Sequence, residues 1–117
     1  LLHQVAEEHG RGDVSFDIAP QLICYVGKTK EDAIEKFKQS QMYHHLVSLR
    51  ASTLKDQAGM DLIEANLIGS KDDVIEKANE LADAGVKHLC GTYFCADSVS
   101  ELKDQMTLYA EQVMPNI

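Results

Sequence analysis

The segment Asn66–Gly91, NLIGSKDDVIEKANELADAGVKHLCG, decides the fold. Ser70 is typical of a helix N-cap, because its hydroxyl can accept hydrogen bonds from the unpaired amides of a first helical turn. Gly85 stands where a left-handed residue ends a helix, and Val86–Cys90 is predicted to be a strand. Apolar residues between these points recur at helical spacing and predict one buried stripe: Val74, Ile75, Ala78, Leu81 and Ala82. A helix that feeds a strand through a glycine is the repeating half-step of an α/β fold.

An earlier part of the chain shows the same alternation. The run Gln21–Gly27 is continuously apolar from its second residue, as expected for a parallel strand covered on both faces. Thr29 is predicted to cap the helix that follows it. The apolar stripe of that helix drifts too far for one straight face, so a bend is expected near Gln39–Gln41. Leu67-Ile68 could be a short strand or merely the approach to the helix at Ser70.

Both ends of the chain read as helices. Ser98 and Glu101 form an S-x-x-E capping box, which predicts the start of a final helix. Its apolar face is predicted at five positions: Leu102, Met106, Tyr109, Ala110 and Val113. At the other end the chain opens as if in mid-helix, with Leu1, Leu2, Val5 and Ala6 as a short apolar stripe that Gly10 stops. This opening indicates a fragment of a longer protein.

Composition excludes several functional classes. The 117 residues suffice for one domain over 1–117 with one modest core. A formal net charge of −8 without a basic cluster argues against a nucleic-acid surface. No apolar run approaches the roughly 20 residues that span a membrane, and no secretory signal is present. The three cysteines, an odd number, are interpreted as reduced thiols of a cytoplasmic protein. His88, Cys90 and Cys95 lack paired zinc-ligand spacing, so no metal is expected.

The order of these elements is similar to one enzyme superfamily. A Gly-Ser start, an amphipathic helix, then Ala-Gly-Val and an apolar strand near the chain end resemble the luciferase-like flavin-dependent oxidoreductases. Leu22–Phe37, LICYVGKTKEDAIEKF, resembles a late barrel strand of that family and its threonine-started helix. Leu102–Pro115, which ends in AEQVMP, resembles its closing helix. The resemblance also favours the approach rather than a strand at Leu67-Ile68.

The resemblance implies a fold, an activity and a cofactor. Family members are (β/α)8 TIM barrels that use FMN with oxygen, or a deazaflavin coenzyme, on small organic substrates. Residues 1–117 would be the carboxyl-terminal portion of such a barrel, with about two barrel strands and four helices, incomplete on its own. The catalytic residues would lie in earlier strands outside this chain, which would close the barrel and form one wall of the cofactor mouth. The remainder of the barrel is then a required partner, and the uncovered strands predict a homo-oligomer.

Candidate binding residues follow from the parallel-sheet rule that ligands gather beyond the carboxyl ends of strands. That rule selects Gly27–Thr29 after the first strand and Gly91, Thr92 and Tyr93 after the strand predicted at Val86–Cys90. Gly91 would allow close approach of a cofactor, Thr92 offers a hydroxyl, and Tyr93 could stack on a planar ring. The same residues could equally form a glycine turn with an aromatic packed beneath a helix.

Two other functions fit the same sequence. A non-catalytic α/β module could bind a partner protein through its uncovered strands. The chain could also belong to a different (β/α)8 enzyme, because Ala-Gly-Val before a strand recurs in such barrels and a fold does not fix a function.

Overall fold

The structure is a computed structural model that describes residues 2–15, 17–53, 55–57 and 59–117. Leu1 of the predicted opening stripe lies outside these residues. The helices are α1 Leu2–Glu8, α2 Lys30–Gln39, α3 Gln41–Arg50, α4 Lys71–Asp83 and α5 Val99–Leu108. The strands are β1 Gln21–Gly27, β2 Leu67–Ser70 and β3 Gly91–Phe94. A π-helix at Tyr109–Val113 and two short 3-10 helices, Lys55–Gln57 and Met114–Asn116, complete the elements.

The three strands form one parallel sheet in the order β2-β1-β3. β1 lies in the middle, and helical layers cover both of its faces, as its continuous apolar run predicts; the α/β class is confirmed. The chain steps from β1 to β2 in one direction and then back past β1 to β3. Right-handed crossovers in opposite directions place their helices on opposite faces of the sheet.

Each face of the sheet has its own core. On one face α2 packs through Ala33 and Phe37 onto the side chains of Ile23 and Tyr25. On the other face α4 packs through Val74, together with the π-helix, onto Cys24 and Val26. The alternation of side chains along β1 therefore serves two helical layers.

Two strand predictions are wrong. Val86–Cys90 is not a strand, because the pairing of this segment with β1 starts only at Gly91, opposite Gln21. Before that point Cys90 N donates to Pro20 O at 3.1 Å, but Pro20 has no N–H with which to return a bond. Leu67-Ile68 is not merely an approach, since it belongs to β2 and pairs with Cys24 and Tyr25. The sheet thus has three strands instead of the expected two.

The predicted helix boundaries are confirmed. Thr29 Oγ1 accepts from Asp32 N at 3.1 Å, and Ser70 Oγ accepts from Asp73 N at 3.3 Å. Gly85 has a φ of 98°, the left-handed conformation expected at the end of α4. The predicted bend is a complete break at Ser40, which ends α2 and caps α3 by accepting from Tyr43 N.

The buried stripe of the final helix differs from the prediction. Tyr109 and Val113 are buried as predicted, and Gln105 is buried with them. Leu102 and Met106, however, are 36% and 50% exposed, and Ala110 is exposed as well. The helix is turned so that the Gln105 amide, rather than an apolar side chain, reaches the backbone of β1. Its outward face is left with exposed apolar side chains.

The capping box at Ser98 is confirmed in one half. Ser98 Oγ accepts from Glu101 N at 3.1 Å, but Glu101 Oε2 accepts from Asp97 N, one residue before the cap. We expect Ser98→Ala to lower the free energy of unfolding by about 1 kcal/mol, the typical loss of an N-cap. Chemical denaturation measures it, and Ser100→Ala, in the same helix without a capping bond, is the control. An equal effect of both substitutions would show that the cap contributes nothing.

Candidate functional site

The carboxyl ends of the strands define a crevice between β1 and β3. The crossover to β2 leaves on one face and the return to β3 on the other, so the sheet has a topological switch point here. In open α/β sheets ligands bind at such a point. β1 extends to Gly27, whereas pairing with β3 ends opposite Cys24. The backbone groups of Val26 on this side of β1 therefore have no partner in β3.

Gln105 of α5 fills the crevice beside Val26. Its Nε2 donates to Val26 O at 3.0 Å, and its Oε1 accepts from Val26 N at 2.8 Å. Both bonds are buried, so the side-chain amide takes the place that a further residue of β3 would have. Buried polar backbone groups require such partners. Sequence reasoning missed Gln105; the signal was its i, i+4 spacing to Tyr109 and Val113, which places an amide in the core stripe.

Near the start of α5, polar side chains line a cavity of about 120 Å³. Tyr25 Oη donates to Glu101 Oε1 at 3.4 Å, and Asp97 Oδ1 accepts from Gln41 N at 3.4 Å. Lys36 contributes a cation to the lining. β1, the break between α2 and α3, and the start of α5 together position these groups. The cavity has room for a small polar molecule.

The ionisation of this cluster favours hydrogen bonding over nucleophilic chemistry. Burial, with the charge of Glu101 adding to it, raises the pKa of Tyr25 to about 12, so its hydroxyl stays a donor at neutral pH. Burial likewise raises the pKa of the Cys95 thiol, and a hydrogen bond with Ser40 opposes this only in part. A protonated thiol is a poor nucleophile. The cluster can orient a small polar group and shows no activated nucleophile.

The raised pKa of Tyr25 predicts a loss of stability at alkaline pH. Because folding raises the pKa from 10.0 to about 12, the stability contribution is complete below pH 10 and is lost as the pH rises to about 12. Between pH 10 and about 12, the free energy of unfolding should therefore fall less in Tyr25→Phe than in the unaltered chain. Denaturation at successive pH values measures this, with Tyr93→Phe, at a half-exposed ring, as control. An unchanged pH profile in Tyr25→Phe would contradict the assignment.

Gly91, Thr92 and Tyr93 do not lie where the sequence placed them. They belong to β3 itself, with Gly91 opposite Gln21 and Thr92 opposite Leu22, at the amino end of the sheet. The expectation that they follow a strand is wrong, because the strand was placed five residues too early. Tyr93 is 49% exposed, and its hydroxyl lies 3.4 Å from Gln21 Oε1. The carboxyl edge receives Cys95–Ser98 instead.

Gly27–Thr29 do lie at the carboxyl edge, as predicted. A Cβ on Gly27 would come within 2.7 Å of Ala33 N, so glycine is required for the close approach of α2. Lys28 N donates to Asp32 Oδ2 at 3.2 Å. The glycine is thus explained by packing, and the Lys28 amide before this helix is satisfied by the Asp32 carboxylate of the helix itself.

At the start of α4, too, an aspartate of the helix itself binds the groups at the N-terminus. Asp73 accepts from both the amide and the hydroxyl of Ser70, and these hydrogen bonds lower the pKa of the Asp73 carboxyl. A carboxylate already fills the position that a phosphate would take at a helix N-terminus. The N-cap interpretation of Ser70 is confirmed.

The cysteines are separate from one another. Cys24 and Cys95 are buried and face opposite cores, while Cys90 is exposed and donates its thiol to Ala19 O. Across the described ranges, no three His, Cys, Asp or Glu side chains come together as metal ligands. Among the helices that the structure describes, none combines the length and hydropathy needed to cross a bilayer.

The chain matches no protein-family model, and no curated protein is significantly similar to it.

Proposed function

We propose that the chain is the carboxyl-terminal segment of a flavin- or deazaflavin-dependent oxidoreductase of the luciferase-like superfamily. In that enzyme it would close the (β/α)8 barrel and supply one wall of the cofactor mouth. The observation that carries the proposal is the direct parallel pairing of β1 with β3. Consecutive strands of a barrel are parallel neighbours. β1 lies in the segment that resembles a late barrel strand, and β3 directly follows Val86–Cys90, the segment that resembles the last one. β2 would be an additional short strand on the other side of β1.

The open side of β3 supports the need for further polypeptide. Cys95 N donates to Cys24 O of β1 at 2.9 Å, so the alternation of a strand turns the backbone groups of Thr92 and Phe94 away from the sheet. α2 covers β1 and β2 on its face of the sheet, and the Tyr93 ring on that same face stays half exposed. Parallel strands are normally covered on both faces and paired on both edges. A neighbouring barrel strand would complete both.

The described residues do not form a flavin site by themselves. The cavity at the carboxyl edge is about 120 Å³, well below the roughly 300 Å³ at which small-molecule sites begin. The starts of α2 and α4 are occupied by the Asp32 and Asp73 carboxylates, which would repel a cofactor phosphate. Residues after β1 and β3, such as Lys28 and Ala96, could form one wall; the rest would come from the missing strands.

Cofactor binding by two forms of the protein tests this proposal. The 117-residue chain and its longer parent are each titrated with FMN and with a deazaflavin coenzyme, and fluorescence reports binding. We expect the parent to bind one of the two at least 100-fold more tightly than the 117-residue chain. Stoichiometric micromolar binding by the short chain would show that it holds a complete site. Absence of binding to the parent would refute the oxidoreductase.

The second candidate is a non-catalytic α/β module that binds a partner protein through the open edge of β3. The strand order β2-β1-β3 with helices on both faces favours it, because a barrel carries its helices on the outer face alone. An open parallel sheet of this order is complete in its layers and needs a partner only at the edge. Strand addition to such an edge is a common mode of protein recognition.

Association through β3 can be tested by blocking one amide. We expect the chain to associate reversibly in a sedimentation dilution series and Thr92→Pro to abolish this, since proline lacks the outward N–H. Thr92→Val keeps that N–H and a high strand propensity, so association should persist. Equal loss in both variants would mean that the Thr92 hydroxyl, and not the strand edge, forms the contact. A monomer at all concentrations would refute self-association.

A further inference from the structure

A second cavity, of about 510 Å³, lies on the face of the sheet that α4 covers, toward the amino end of β3. It is far larger than the cavity at the carboxyl edge and falls within the range of small-molecule sites. One wall is the second half of α4, where Ala78 and Ala82 flank Leu81. The two small side chains leave the space that larger residues would fill.

The opposite wall comes from the end of the chain. Tyr109 of the π-helix is buried against Phe94, with the rings edge to face at 5.5 Å, and it lines the cavity. Met114 and Ile117 follow at the rim and are 56% and 52% exposed. π-helices are rare in proteins, and those that occur often lie at functional sites. Here its extra residue per turn sets Tyr109 and the rim residues around one concave surface.

The charge of the lining indicates the ligand. The chain has 19 acidic residues, yet none of the described residues that line this cavity is an aspartate or a glutamate. Lys87 at the mouth is paired with Asp17 at 3.5 Å, so its charge is largely compensated. The Thr92 hydroxyl lies next to the apolar walls and is partly buried, whereas the other polar side chains of the lining, Asn79 and His88, are exposed to solvent. The lining thus suits a neutral molecule with one hydrogen-bonding group.

We propose that this cavity binds a small, neutral, mainly apolar molecule whose single polar group contacts Thr92. The site is distinct from the carboxyl-edge crevice and does not depend on the oxidoreductase proposal. Apolar walls drive binding by removing hydrocarbon surface from water, and the hydroxyl fixes the orientation of the ligand.

The experiment uses the 117-residue chain and the neutral fluorescent probe N-phenyl-1-naphthylamine. We expect saturable binding of one probe per chain, weakened at least tenfold by Ala82→Phe, which fills the cavity. Ala84→Phe, at an exposed position outside the lining, is the control and should bind as the unaltered chain does. Circular dichroism verifies that each variant is folded, and Ala78→Leu replaces Ala82→Phe if that variant is not.

Competition tests the polar contact. Displacement by 1-naphthol should weaken in Thr92→Val, whereas displacement by 1-methylnaphthalene should not change, since valine keeps the shape and removes the hydroxyl. Unsaturable binding, equal binding by the filled variant, or one probe per two chains would overturn the proposal. The last result would instead make the cavity an interface between copies. Equal weakening of both competitors would overturn the role of Thr92.

Discussion

Replacing Gln105 with leucine is expected to lower the free energy of unfolding by about 2–3 kcal/mol. The amide of Gln105 is the partner of both Val26 N and Val26 O, at 2.8 and 3.0 Å, and all these groups are buried. Leucine has a similar size and helix propensity but leaves the two backbone groups without partners. Each buried unsatisfied group costs about 1–3 kcal/mol, and burial of the leucine side chain offsets part of the total.

Gln112→Leu provides the matched control. Gln112 is exposed in the π-helix, so the same chemical change there should alter stability by less than about 0.5 kcal/mol. Urea denaturation followed by circular dichroism compares the two. Hydrogen exchange adds a local measurement: the Val26 amide should lose protection in Gln105→Leu. If both variants unfold at the same urea concentration, Gln105 does not substitute for a strand.

Gly27→Ala is the second large effect expected. An added Cβ would lie 2.7 Å from Ala33 N and 2.9 Å from Ala33 Cα, both backbone atoms that cannot turn aside. The start of α2 would have to move away from β1, where Ala33 and Phe37 are fully buried. Overpacking of this kind typically costs about 1–3 kcal/mol, and the rigid backbone neighbour puts the expected loss near the upper limit.

Gly59→Ala is the control for Gly27→Ala. A Cβ at Gly59 meets nothing within 4 Å, so the substitution should be neutral or slightly stabilising through the unfolded chain. Thermal or chemical unfolding of the two variants gives the comparison. A Gly27→Ala protein as stable as the Gly59→Ala protein would mean that α2 does not sit tightly on β1.

The features that local sequence determines are the ones the sequence predicted. Thr29 and Ser70 cap their helices, and Gly85 ends α4 in a left-handed conformation, because each depends on residues within one helical turn. The cover on both faces of β1 also follows from its own composition, since a continuously apolar strand is typical of a sheet with helices on both sides. These features suffice for the α/β class.

Strand pairing was decided by tertiary structure. Val86–Cys90 has the composition of a strand, but a strand forms only where a neighbour can exchange backbone hydrogen bonds, and the residue bonded to Cys90 is Pro20, which has no N–H. Leu67-Ile68 is too short to identify alone and becomes part of β2 because Cys24–Gly27 lies beside it. The three candidate cofactor residues, Gly91, Thr92 and Tyr93, were predicted at the carboxyl end of the sheet. Because they form β3 themselves, they lie at its amino end.

The site depends on residues far apart in the chain. Tyr25 and Glu101 are 76 positions apart, and Val26 and Gln105 are 79 apart, so no local pattern reports their contact. The sequence alone determined the helices, their caps and the α/β class through short-range hydrogen bonding and apolar periodicity. Only the tertiary structure decided which strands pair, which face of the last helix is buried and which polar groups meet, because these outcomes depend on satisfying backbone groups across the sheet.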